Sequence, residues 1–140
     1  MIALGQMLLV NTTLEDLGLH NSKIEDDGMA YLSFALQSNN SLKILNLRVN
    51  FFGLKGVLYL TSVIKSNKKI ENLDLHFNEI GEEGLQELNQ ALEKNSTLRI
   101  MDCSASVDLN SIAYKNLEHK LEENSRSEDK QDTKIVKVKL

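Results

Sequence analysis

Residues 70–95 read IENLDLHFNEIGEEGLQELNQALEKN, and this one stretch carries two different periods. Around Leu73, Asp74 and Leu75 apolar and polar residues alternate, the period of a short half-buried strand. From Gly84 onward the small and apolar residues fall at Leu85, Leu88, Ala91 and Leu92, which is helical spacing. The stretch therefore predicts a strand, a turn and a helix in immediate succession.

The same pattern recurs along the chain with a step of 28 residues. Leu14, Leu42, Ile70 and Leu98 share one column, Leu17, Leu45, Leu73 and Met101 a second, and Leu19, Leu47, Leu75 and Cys103 a third. Gly28, Gly56 and Gly84 keep the step, as do Leu32, Leu60 and Leu88, and Asn11, Asn39, Asn67 and Asn95 close each unit. Each strand is followed by a helix, so neighbouring strands must run parallel through right-handed crossovers. One such unit cannot bury its apolar face alone, and stacking is the way out. The expected fold is an α/β right-handed solenoid, a horseshoe with parallel strands on the concave face and helices on the convex face.

Four units are read at 14–41, 42–69, 70–97 and 98–124. Residues 1–13 match only the back half of a helix and form a partial repeat or cap. The fourth unit drifts, and Leu117, Leu121 and Asn124 reach their columns only if one residue is inserted. Residues 125–140 form a charged tail, expected to be loosely held, whose closing IVKVKL alternates like a strand. Asn50 and Asn78, where the chain leaves the strand, are expected to pair turn backbone groups, with Ser22 and Ser106 in their place at the two ends. The column glycines are expected to let the helix starts approach the strand layer.

The pattern LxxLxLxxNxIGxxGxxxLxxALxxN resembles the ribonuclease-inhibitor-like class of leucine-rich repeats over about residues 4–124. The resemblance implies the horseshoe fold but no single activity, because proteins of this class serve as inhibitors, receptors, GTPase activators, actin-capping proteins and axonemal scaffolds.

Composition narrows the function classes. The net charge is −4 with a pI near 5.4, which argues against the nucleic-acid backbone as the main partner. A lone cysteine points to a reducing, cytoplasmic setting, and no apolar run approaches the roughly 20 residues that cross a bilayer. Asn11, Asn39 and Asn95 begin N-x-S/T triplets, but the repeat accounts for them better than glycosylation does. His20 and His76 share a column two units apart, too distant to share a zinc ion across strands about 4.8 Å apart. Cys103 stands on a core column and reads as an apolar filler. No cofactor, metal site, catalytic motif or small-molecule substrate is expected, so the chain reads as non-catalytic.

What remains is surface. The residues expected to bind a protein partner lie on the concave strands and the adjoining loops. They are Asp16 and His20 in the first unit, Ile44, Asn46, Arg48 and Phe51 in the second, Asn72, Asp74, His76 and Phe77 in the third, and Ile100 and Asp102 in the fourth. Apolar anchors ringed by polar groups are typical of interfaces. The favoured reading is a protein–protein interaction module. The alternative is an architectural end-segment of a longer repeat protein in a large assembly such as a ciliary complex, and a GTPase regulator is a more distant third.

Overall fold

The computed structural model describes the backbone of residues 1–138 and the side chains of residues 1–127. Helix α1 (Ile2–Val10) is followed by β1 (Asp16–Gly18), α2 (Asp26–Leu36), β2 (Ile44–Asn46), α3 (Leu54–Ser66), β3 (Asn72–Asp74), α4 (Gly81–Leu92), β4 (Ile100–Asp102), a 3-10 turn at Ser104–Ser106 and α5 (Ile112–Val138). The strands form one parallel sheet in the order β1-β2-β3-β4. Leu17 pairs with Leu45, Leu45 with Leu73 and Leu73 with Met101, so the 28-residue step is the register of the sheet.

The core lies between the sheet and the helix layer. Leu42, Leu45, Leu47, Leu75, Leu88 and Leu92 are completely buried, and each such leucine contributes about 1.5–3 kcal/mol of burial. The largest fully buried side chain is Phe52, stacked in a column with Ile24 and Ile80 under the ascending loops. That column ends at Asp108, which is exposed. The fourth unit loses its loop anchor there.

Two asparagine ladders carry the polar side of the stack. Asn50 Nδ2 donates to the carbonyls of Leu19 (3.0 Å) and Leu47 (2.7 Å), while its Oδ1 accepts the amides of Ser22 (3.1 Å) and Ile24 (2.9 Å). Asn78 likewise donates to Leu47 and Leu75. At the helix ends, Asn67 Nδ2 donates to the carbonyls of Leu36 (2.7 Å) and Asn39 (2.9 Å), and its Oδ1 accepts from Lys69 and Ile70. Asn39 and Asn95 repeat the arrangement one unit earlier and later. Each amide ties buried backbone groups that no strand or helix bond could reach.

The column glycines meet a different neighbour from the one their spacing implied. A Cβ on Gly56 would stand 2.7 Å from Phe52 Cβ and 2.9 Å from Asp26 Oδ1, and one on Gly28 or Gly84 would stand 3.0 Å from Ile24 or Ile80. The close approach is thus between the helix start and its own ascending loop, rather than the strand layer. Asp26 sits there because its carboxylate accepts the amides of Gly53 (2.9 Å) and Gly56 (2.8 Å), capping α3 from the neighbouring unit; charge and free N–H groups favour that position.

At the far end Asn124 Nδ2 donates to Asn95 (3.2 Å), 29 residues back where the earlier units step 28, and its second bond goes to Leu98 (2.7 Å) at the start of the fourth unit, not to a carbonyl of the preceding helix end. Helix α5 does not stop there. It crosses the boundary expected at 124 and runs to Val138, carrying most of the segment read as tail and as strand. Ser125 and Ser127 hydroxyls donate to carbonyls one turn back, Arg126 pairs with Glu122, and no glycine or proline interrupts the run. Residues 139 and 140 lie outside the described residues.

The candidate protein-binding face

Strand alternation decides which side chains reach the concave surface. Leu45, Leu73 and Met101 point into the core, so Ile44, Asn46, Asn72, Asp74, Ile100 and Asp102 face the other way. Ile44 is 39% exposed and Ile100 58%, apolar side chains held open to solvent. Asp16 and His20 are exposed in the first unit, Asn72 is half-buried, and Arg48 is exposed.

Several of the expected binding residues also have a local backbone task. Asn46 Oδ1 accepts the amide of Arg48 (3.0 Å), Asp74 Oδ1 that of His76 (3.0 Å), and Asp102 Oδ1 that of Ser104 (3.0 Å). Each thereby turns the chain out of its strand, as such side chains do at turns. Gly18 holds this column in the first unit and offers no such acceptor.

Immediately beyond the turn lies a column of left-handed backbone. Asn21 has φ 52°, Val49 φ 55° and Phe77 φ 55°. Asparagine visits this region readily, whereas a β-branched or aromatic residue pays for it in strain. Both strained side chains are presented outward, with Val49 37% and Phe77 53% exposed.

A tight cluster surrounds Phe77. The Arg48 guanidinium lies 5.6 Å from its ring centre, and the His76 ring meets it edge-on at 4.3 Å. His76 Nδ1 is 3.1 Å from Ser104 Oγ and 3.4 Å from Asp102 Oδ1, and the Ser104 hydroxyl donates to Asp102 at 2.7 Å. Burial pushes the Asp102 carboxyl up, but the Ser104 backbone and hydroxyl bonds and the neighbouring His76 outweigh it, and the group ends below its ordinary value. In an acyl-transfer triad the histidine stands between serine and carboxylate, using a different nitrogen for each. Here serine and aspartate touch the same nitrogen and each other, so the arrangement fixes a surface rather than relaying a proton.

Phe51 stands among the residues expected to anchor a partner. It is 56% exposed, and its neighbour Phe52 takes the buried place. One row flanking the strands had no counterpart in the expected site. Glu15, Lys43, Glu71 and Arg99 alternate in charge along the stack, with Lys43 2.9 Å from Glu15 and Arg99 3.5 Å from Glu71. The hydrogen bond and charge of Glu15 raise the Lys43 ammonium above its usual range. The signal was present as a 28-residue alternation of sign, but it falls outside the apolar columns.

Cys103 is completely buried, and burial, with Asp102 and Glu118 adding to it, pushes its thiol up to about 12. It fills the core column. Among the described residues no helix is long and apolar enough to cross a membrane, and no group of three or more His, Cys, Asp or Glu side chains could share a metal ion.

The 28-residue register, the single parallel sheet and the asparagine ladders define a leucine-rich-repeat solenoid. A leucine-rich-repeat family model matches residues 10–33 and 66–88 of the chain. Among solved structures, leiomodin-1 actin-binding site 2 superposes with a TM-score of 0.87 at 19% identity, covering 99% of this chain and 80% of that one. The tropomodulin C-terminal domain of Caenorhabditis elegans superposes with a TM-score of 0.63 at 15% identity, covering 94% of this chain and 96% of that one. At such identities the likeness establishes the fold. No curated protein matches the chain.

Proposed function

We propose that the chain is a non-catalytic protein-binding module whose concave strands and ascending loops hold the partner, and that actin is the partner to test first. The observation that carries the reading is Phe77, kept half-exposed in a left-handed backbone and flanked by Arg48 and His76. Strain retained at a solvent-facing aromatic has no use in folding, and aromatic and arginine side chains are the ones that dominate interfaces. Actin enters because leiomodin-1 actin-binding site 2 shares this fold over nearly the whole chain.

The test is co-sedimentation with filamentous actin and a fluorescence titration with monomeric actin. The chain is compared with a variant carrying Ile44→Asp, Arg48→Glu and His76→Glu. Binding by the chain and its loss in the variant, with circular dichroism unchanged, supports both parts. Equal binding by the two would move the site off the concave face. Absence of binding to either form of actin removes actin while leaving the module to be tested against other proteins.

A further inference from the structure

The first unit is unlike the three that follow on the side facing away from them. Leu14, Leu17 and Leu19 are only partly buried, although Leu42, Leu45 and Leu47 one period later are completely enclosed. The same holds of Leu4 and Met7 in α1, whose counterparts Leu32 and Ala35 are fully buried. Val10 is 79% exposed and Ile2 57%, and no charged residue occurs before Glu15. An uncharged helix with apolar residues on its outer face is not built to meet water.

The backbone repeats the same message. In β2 the amide of Ile44 donates to the carbonyl of Glu15, and the carbonyl of Asn46 accepts from Leu19. Their counterparts in β1 are the amide of Asp16 and the carbonyl of Gly18, on an edge beyond which no strand lies among the described residues. Such an edge is a template for one more strand.

The side chain of Asn11 says what kind of strand and helix belong there. Asn39, Asn67 and Asn95 each donate from Nδ2 to the carbonyls 28 and 31 residues earlier, at the end of the preceding helix. Asn11 accepts the amides of Thr13 (3.1 Å) and Leu14 (2.7 Å) as they do, but its Nδ2 has no partner among the described residues. A donor placed in that register calls for the two carbonyls of a helix end stacked in parallel, which an antiparallel second copy would not supply. We propose that the open face formed by α1 and β1 is a docking surface for one more leucine-rich strand-and-helix unit, stacked in the same parallel register.

The experiment supplies that unit in known form. Residues 29–56 are copied directly ahead of Met1, so that Met1 takes the place Val57 has and the copies of Leu36 and Asn39 stand 31 and 28 residues before Asn11. A control carries the same prefix with Leu45→Asp and Leu47→Asp made in the copy alone. The intact prefix is expected to raise the Tm and to slow hydrogen exchange of the Asp16 amide by about tenfold or more, while the control does neither. Asn11→Ala is expected to lower stability more in the prefixed chain than in the original, a coupling that stacking without the amide contact would not give. Equal behaviour of the two prefixes, or an unchanged Asp16 exchange rate, would overturn the proposal. So would an original chain that light scattering shows to be a dimer with Asp16 already protected, since the occupant would then be a second copy.

Discussion

The guanidinium of Arg48 rests 5.6 Å from the ring centre of Phe77, one unit further along the stack, and the ring hangs from a backbone with φ 55°. Side-chain exposure and backbone strain are thus combined in one residue. Replacing Phe77 or Val49 by asparagine, the residue the first unit has at Asn21, relieves a left-handed penalty of about 1 kcal/mol. Phe77→Asn and Val49→Asn should each leave urea stability equal or higher while weakening partner binding. A fall in both quantities together would mean that the loops serve folding.

Asn67 has four hydrogen bonds to buried or nearly buried backbone, two of them across the stack. Asn67→Ala orphans those groups at about 1 kcal/mol or more each, so a loss of about 3 kcal/mol is expected. Asn11 accepts only two amides in its own turn, and Asn11→Ala should cost about 1 kcal/mol. Chemical denaturation of the two variants side by side checks the difference.

Gly56 faces Phe52 Cβ at 2.7 Å and the capping carboxylate of Asp26 at 2.9 Å from where a Cβ would sit. Gly56→Ala should therefore destabilise by about 1–3 kcal/mol despite the better helix propensity of alanine. Gly84→Ala, with a side-chain methyl of Ile80 at 3.0 Å, should be milder. Thermal melts of the pair rank them.

Cys103 titrates near 12 in the folded chain, against about 8.5 when unfolded. The folded state therefore disfavours the thiolate, so this contribution to stability is complete below about pH 8.5 and is lost as pH rises toward 12. Between these limits the slope approaches about 1.4 kcal/mol per pH unit. Cys103→Ala should flatten the decline in stability above pH 9 relative to the original chain. Native Cys103 should also resist a disulfide reagent at pH 8 until denaturant is added.

Leu42, Leu45 and Leu47 could be placed in the core from the sequence because a residue repeated every 28 positions must fill equivalent space in every unit. Asn50 and Asn67 were visible for the same reason. Phe52 was legible only in part: it stands with Ile24 and Ile80 on the isoleucine position of the repeat pattern, but the column turns aromatic there and breaks at Asp108. The backbone work of Asn46, Asp74 and Asp102 left no mark, because a polar residue bonding two positions ahead looks the same as one facing solvent. The left-handed turns at Val49 and Phe77 run against local preference, and only the stacked register on both sides holds them. Helix α5 ran past its expected end because polar composition was read as looseness, although an i,i+4 ion pair and the absence of glycine and proline favour a helix.

Each helix of the stack packs against the next in sequence, from α1 on α2 to α4 on α5. Energy in such an array is shared only between neighbours, so a terminal unit can open without disturbing the middle. The concave row from Ile44 to Asp102 crosses three units at once. A protein gripping that row would act as a splint, making units that otherwise fray one after another open only together.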